Sequence, residues 1–120
     1  PAAPRVIHYA LRLVRATRVE QEDATDFVNE FVSWGAGPRA VQYLLLGAKA
    51  RAVLDGRFFA TTADVRSVSH PVLRHRVLTN FTADSRNITP DAVVDHLLEE
   101  IPETRAGDEV APSLAKAFVG

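Results

Sequence analysis

The stretch that decides how this chain is organised is Ser33-Trp34-Gly35-Ala36-Gly37-Pro38-Arg39-Ala40, which leads directly into the most apolar run of the sequence. Gly37 can serve as the N-cap of a helix, and Pro38 suits the first helical position because its missing N–H would be unpaired there in any case. Arg39 would then lie in the first turn, where the helix dipole disfavours a cation. Two interpretations stay open at this level: Arg39 points into water, or an anion binds beside it.

The helix that follows is predicted to run from Pro38 to about Asp55 and to be apolar on nearly every side, as is typical of a central helix. Asp55-Gly56 should end it. The only tryptophan, Trp34, is expected to anchor the core beside the glycine-rich turn. The pair Phe58-Phe59 is expected to be buried within a short extended link.

Four further helices are predicted from apolar periodicity and capping residues. The first covers residues 3–17, with arginines on its outer side, and the second is a short segment from Thr25 or Asp26 to Trp34-Gly35. The third opens at Thr61 or Thr62 with Asp64 in a capping box, and Pro71 should break or restart it. The fourth covers residues 90–101 after Thr89, and Pro102 should stop it. Residues 77–82 could be extended. The sum is an all-α fold, a small bundle of about five helices in residues 1–102, followed by a weakly ordered tail, residues 103–120.

Composition narrows the possible functions. The 120 residues carry a net charge of −1 with a pI near 6.5, so no overall positive field favours nucleic acid or an anionic membrane. The chain has no cysteine, which excludes thiolate metal sites and fits a reducing, cytoplasmic location. No apolar run approaches the ~18 residues that a membrane helix needs, so no membrane insertion is expected.

The chain lacks the common catalytic signatures. No phosphate-binding loop, Rossmann glycine pattern or zinc-protease histidine pair is present, and no metal site is predicted. This stretch alone is therefore not expected to be an enzyme. The absence of methionine and the opening Pro-Ala-Ala-Pro fit either a processed start or a piece of a longer protein. A free-standing helical interaction module or DNA-binding module is the alternative, although the acidic residues of the last helix have the wrong sign for DNA.

Several segments together resemble the C-terminal lid of the MoxR-type AAA+ ATPases. Trp34 to Ala40 resembles the family's sensor-2 motif, and the order and spacing agree from about residue 6 to residue 102. The matching segments are Gln42-Tyr43-Leu44, Ala48-Lys49-Ala50-Arg51-Ala52, Leu54-x-Gly56-Arg57, Thr62-x-Asp64-Val65, Pro71-Val72-Leu73-Arg74-His75-Arg76 and Ile88-Thr89-Pro90-Asp91.

The resemblance implies a lid that closes over ATP and Mg²⁺ bound by an N-terminal AAA+ core of the same parent chain. By position, Arg39 is the sensor-2 arginine that reaches the terminal phosphates, and Gly35, Ala36, Gly37 and Pro38 shape the turn that presents it. The family implies an ATPase parent, a ring homo-oligomer, chaperone-like remodelling or maturation of other proteins, and von Willebrand factor A-domain proteins as candidate partners.

Two groups of basic residues receive no role in the nucleotide site from the resemblance. The arginines of the first helix become contacts to the core, to a neighbouring subunit or to solvent. Arg74, His75 and Arg76 match a family segment whose role the sequence does not assign, and a structural hinge or an interface is the default interpretation.

Overall fold

The computed structural model describes residues 3–108, and nearly all of their regular structure is helical. The elements in chain order are α1 (Pro4–Ala16), α2 (Asp26–Phe31), β1 (Val32–Trp34), α3 (Arg39–Leu54), α4 (Thr62–Leu73), β2 (Leu78–Thr79), α5 (Phe81–Ser85) and α6 (Pro90–Glu100). The predicted all-α class is confirmed, with six helices and one two-stranded ribbon over these residues. None of the helices described is long and apolar enough to cross a membrane.

The main core is formed by α1, α3, α4 and α6. Helix α1 contacts the other three and buries seven of its residues, among them Tyr9 and Leu13 with no exposed surface. Burial raises the pKa of the Tyr9 hydroxyl, which accepts a hydrogen bond of 3.2 Å from Arg66 of α4. The most enclosed helix is therefore α1, whose strongly one-sided apolar stripe predicted a buried face correctly.

Helix α3 is less buried than its sequence predicted. Its inner face, Ala40, Val41, Leu44, Ala48 and Ala52, packs on α1 and α4. The prediction that the helix is enclosed on nearly every side is wrong, because four of its large apolar residues are exposed: Tyr43, Leu46, Val53 and Leu54. The apolar composition that suggested a central helix therefore leaves an apolar outer face.

Three aromatic side chains predicted to be buried are exposed. Trp34 is 71% exposed, Phe58 96% and Phe59 67%, so neither the tryptophan anchor nor the buried aromatic link is correct. Trp34 is the last residue of β1 and Phe58-Phe59 follow the end of α3, and at both sites small residues take the inward positions. Ala36 and Ala60 fill those positions and are buried.

A short antiparallel ribbon replaces the predicted end of the second helix. Helix α2 ends at Phe31 and not at Trp34, because residues 32–34 pair with residues 78–79. The N–H of Asn80 donates to the Phe31 carbonyl at 2.9 Å, and its side-chain oxygen caps α5, a helix that the sequence analysis missed. The extended region expected in residues 77–82 is confirmed only for Leu78 and Thr79.

Proline 71 does not break α4, contrary to the prediction. The helix continues to Leu73 with Pro71 inside it on an exposed position. A proline within a helix removes one backbone hydrogen bond. The complete capping box formed by Thr61 and Asp64, together with the packing of α4 on α1, α3 and α6, maintains the helix.

The acidic edge of α6 has partners on α4. Arg74 donates to Asp91 at 3.0 Å, and the His70 and Asp95 side chains meet at 2.7 Å. Exposed pairs of this kind contribute about 0–1 kcal/mol each, so their main effect is to set the register between the two helices.

Residues 103–108 contact α1. Arg12 donates to the carbonyls of Pro102 and Glu103 and pairs with Asp108, which is buried. Burial alone would raise the pKa of Asp108, but the hydrogen bonds from Arg12 and from the Arg105 amide hold it below the ordinary value. The tail prediction extends to residues 109–120, which lie outside the described residues, and the division of the chain at residue 102 stays a prediction.

The link between α3 and α4 is fixed by the carboxylate of Asp64. Arg57 donates to both of its oxygens, at 2.7 and 2.6 Å, and the Thr61 N–H donates at 2.8 Å. The Asp64 side chain is only 3% exposed. The hydrogen bonds from Arg57 hold the pKa of Asp64 far below its ordinary value, against the effect of burial.

The Asp64→Asn variant should lower the free energy of unfolding by about 2–4 kcal/mol, because it removes a buried charge partner and half of a capping box. The pKa of Asp64 is lower in the folded state than in the unfolded state. The carboxylate therefore contributes fully to the free energy of unfolding above the unfolded-state pKa of about 4, and this contribution is progressively lost as the pH falls below that pKa. Urea unfolding at pH 7 and pH 3 should show the difference between wild type and variant shrinking on acidification. Asp55→Asn, at an exposed carboxylate that also contacts Arg57, is the control and should cost less than about 1 kcal/mol. A constant difference across this pH range would contradict the assignment.

Candidate functional site

The loop of residues 35–38 connects the ribbon to α3 and places Arg39 at the start of that helix. The helix begins at Arg39, one residue later than predicted, with Pro38 at the N-cap in right-handed helical geometry. Gly37 is therefore not the N-cap. The predicted position of Arg39 in the first turn is confirmed.

Glycine 35 is required by a close backbone approach. A Cβ atom added to Gly35 would lie 2.4 Å from the carbonyl oxygen of Thr17, the residue that ends α1. The neighbouring atoms belong to the backbone and cannot move aside as a flexible side chain could. The loop therefore runs directly against the end of α1.

The hydroxyl of Thr17 fixes the next residue of the loop. It accepts a hydrogen bond of 2.9 Å from the Ala36 N–H and donates one of 2.6 Å to the Val14 carbonyl. Thr17 and Ala36 are both buried, so these bonds form away from competing water. Together with the Gly35 contact, they connect the loop rigidly to the most enclosed helix.

Arg39 itself is exposed and has no partner among residues 3–108. The ion pairs found there involve other cations, and its side chain forms none of the hydrogen bonds. The space beside Gly37 is open, because a Cβ placed there would have no neighbour within 4 Å. An anion could therefore approach the exposed Arg39 guanidinium, whereas the N–H groups of Ala40 and Val41 in the first turn already donate to the carbonyls of Gly37 and Pro38 at 3.0 and 3.1 Å.

A cleft of about 610 Å³ lies on one side of the loop. Trp34, Gly35 and Gly37 line one wall, and residues 18–21 line the other. The volume falls within the range of small-molecule sites. The exposed indole of Trp34 thus borders the cleft instead of filling the core, which puts a large aromatic surface next to the predicted site residues.

The structure brings together all five predicted site residues and adds others that the sequence analysis missed. The five predicted residues are contiguous in the loop and at the start of α3, and their role stays a prediction: Gly35, Ala36, Gly37, Pro38 and Arg39. Thr17 was missed because its link to Ala36 spans 19 residues and no local pattern indicates it. Among residues 3–108 no group of three or more histidine, aspartate or glutamate side chains could hold a metal ion.

A family comparison agrees with the fold and with the loop. The model of the AAA lid domain matches residues 25–97, more than half of the chain. The matched region includes the loop, α3 and α4.

Curated relatives carry the MoxR name. Chaperone MoxR1 from Mycobacterium tuberculosis is 30% identical over 118 residues, covering 93% of this chain and 31% of the relative. Protein MoxR from Methylorubrum extorquens is 34% identical over 77 residues, covering 62% of this chain and 22% of the relative. The chain thus spans about a third or less of the length of these relatives, and the resemblance drawn from the sequence is confirmed.

A solved structure gives the same result. The crystal structure of a protein assigned as an ATPase from Cytophaga hutchinsonii superposes with a TM-score of 0.78 at 27% identity. The superposition covers 84% of this chain and 31% of that chain. The arrangement of helices is therefore shared with a segment of a much longer protein.

The Gly35→Ala variant should lower the free energy of unfolding by about 1–3 kcal/mol, because the added methyl group overpacks against the Thr17 backbone. Gly37→Ala is the matched control, two residues away in open space, and should change stability by less than about 0.5 kcal/mol. Urea unfolding of the two variants measures both values. Equal midpoints would show that the loop does not approach α1 as described.

Proposed function

Because the chain belongs to the AAA lid domain family, we propose that it is the C-terminal lid of a MoxR-type AAA+ ATPase and that Arg39 contacts the terminal phosphates of ATP. The observation that carries the proposal is an exposed arginine with no partner among residues 3–108, at a helix start fixed by a rigid loop. In this proposal the ATP and its Mg²⁺ are held by an N-terminal core of the same parent chain. The lid supplies the positive charge of Arg39 from the side of the nucleotide that faces away from the core.

The chemistry of phosphoryl transfer explains why a single arginine is sufficient for this role. The charge that develops on the transferred phosphoryl group is stabilised mainly by positioned donors and cations. Arginine presents its N–H donors in a fixed planar fork, and this geometry matches phosphate oxygens better than the point charge of lysine. The connection of the loop to α1 through Thr17 and Gly35 fixes the Cα position of Arg39, so that little of its contact energy is lost to ordering the backbone.

The parent in this proposal is an oligomeric ring with chaperone-like activity on other proteins. The names of the relatives support the chaperone assignment, since one of them is called a chaperone. Von Willebrand factor A-domain proteins are the candidate partners, and the cytoplasm is the proposed location. These statements rest on the family and not on any contact within residues 3–108.

One observation favours an interaction module as a second candidate function. Leu54, Phe58 and Phe59 form an exposed apolar surface at the end of α3, and such surfaces commonly bind protein. This candidate does not use Arg39. The response of catalysis to Arg39 substitution therefore separates the two functions.

In the full-length parent, Arg39→Ala should lower ATP turnover roughly 10²–10³-fold, by analogy with the loss of one preorganised charge-stabilising donor. Arg39→Lys should recover only part of the rate, because lysine keeps the charge and loses the fork. Lys49→Ala is the matched control, since Lys49 is an exposed cation on the same helix without a partner among residues 3–108. Unchanged hydrolysis by Arg39→Ala at saturating ATP would overturn the proposed role.

The 120-residue chain by itself should bind MgATP weakly or not at all. In the proposal most contacts to the nucleotide come from the core, and the lid alone offers little beyond arginine side chains and a partly open cleft. A calorimetric titration of the chain with MgATP tests this expectation, with the Arg39→Ala chain as the reference. Micromolar affinity that is lost in the reference would mean that the lid holds a complete nucleotide site.

A further inference from the structure

Arg76 has the environment of a second anion-binding arginine. It follows α4 and is partly buried, with its guanidinium carbon 4.4 Å from the centroid of the Tyr43 ring. One of its N–H groups donates to the Val72 carbonyl at 2.8 Å. Stacking on the ring and this hydrogen bond fix the plane of the guanidinium.

Most of the donors of Arg76 are unused. A guanidinium has five N–H donors, and the hydrogen bonds among residues 3–108 occupy one of them. No carboxylate within these residues pairs with Arg76, whereas the nearby Arg74 donates to Asp91 at 3.0 Å. Of the two arginines at the end of α4, Arg74 has its charge compensated by a carboxylate, whereas Arg76 is held in position without a compensating carboxylate.

The connection from Arg76 to Arg39 passes through Tyr43. Tyr43 lies four residues after Arg39 on α3, so the two Cβ atoms are on one face of the helix, about 5–6 Å apart. Helical side chains lean toward the N-terminus, which directs Tyr43 over the turn that carries Arg39. The Arg76 guanidinium on the Tyr43 ring therefore lies at the same end of α3 as Arg39.

The ribbon places Arg76 near the loop independently of Tyr43. Leu78, two residues after Arg76, pairs with Trp34, which directly precedes Gly35. Two separate contacts thus position Arg76 beside the loop and the start of α3, one on the helix and one on the ribbon.

We propose that Arg76 is a second phosphate-binding residue of the nucleotide site and that Tyr43 is its positioning residue. This inference rests on the proposed function and extends it, since the ligand is the same nucleoside triphosphate. Two guanidinium groups at the same end of α3 suit a triphosphate, whose several anionic oxygens can each accept a hydrogen bond. The competing explanation is that Arg76 only covers Tyr43.

The test uses ATP hydrolysis by the full-length parent, with KM and kcat determined separately. Arg76→Gln should raise the KM for ATP roughly tenfold or more, which is the expected loss for a hydrogen bond between charged groups. Tyr43→Leu should raise KM in the same direction by a smaller factor, while Tyr43→Phe, which keeps the ring face, should leave it unchanged. Arg74→Gln is the matched control, because Arg74 already pairs with Asp91.

The thermal unfolding midpoint of each variant without nucleotide separates binding from packing. Under the proposal KM rises while the midpoint of Arg76→Gln stays within a few degrees of wild type. If Arg76→Gln does not fold, Arg76→Lys replaces it as the test variant. Lysine keeps the aliphatic stem and the charge but loses the planar fork of donors, so this variant should still raise the KM for ATP. An unchanged KM in Arg76→Gln or, where that variant fails to fold, in Arg76→Lys would overturn the inference.

The failure of this inference is distinguishable from failure of the proposed function. Loss of turnover in Arg39→Ala with an unchanged KM in Arg76→Gln removes only the second arginine from the site. Unchanged kinetics in both variants would remove the proposed function as well.

Discussion

The position of the α3 N-terminus depends on the buried hydroxyl of Thr17. This group donates to the carbonyl of Val14 at the end of α1 and accepts the N–H of Ala36 in the loop. Serine and threonine hydroxyls commonly form hydrogen bonds with backbone groups close to them in the sequence. Here the same oxygen also determines where the next long helix of the core begins, and the absent side chain of Gly35 permits the approach.

Charge pairing at the surface explains which cations remain available. Four arginines each pair with a carboxylate and thereby join neighbouring parts of the chain. Arg12 joins α1 to Asp108, and Arg57 joins the end of α3 to α4. Arg74 joins the end of α4 to α6, and Arg86 joins the end of α5 to α2. Arg39 and Arg76, like Arg18 and Arg66, form no such pair among residues 3–108. In a chain whose net charge is close to zero, two uncompensated arginines at one end of a helix form a local positive site that the overall charge does not reveal.

Local patterns predicted the helices well where capping and periodicity agreed. Thr61 with Asp64, and Thr89 with Pro90, gave correct starts because the bonds that cap a helix lie within four residues. The ribbon and the exposure of Trp34 were not predictable in the same way. Strands of two or three residues carry no periodicity, and their pairing joins residues more than 40 positions apart. The candidate site residues 35–39 were predicted through the family resemblance and their role stays a prediction, whereas the contacts of Thr17 and Arg76 are visible only in the tertiary structure.

The antiparallel pair of α3 and α4 is joined at three points along its length. Arg57 and Asp64 join one end, Tyr43 and Arg76 join the other, and at the middle Gly47 lets the Val68 side chain approach within 3.2 Å of the place where a Cβ would be. Because α1 also holds the start of α3 through Thr17, the bundle should turn as one rigid body. The 16 residues of α3 span about 24 Å, so a rotation of the whole bundle by about 5° about Arg39 would displace the exposed Phe58-Phe59 loop by about 2 Å. A small rotation about the Arg39 end would thereby become a displacement of an apolar surface at the far end.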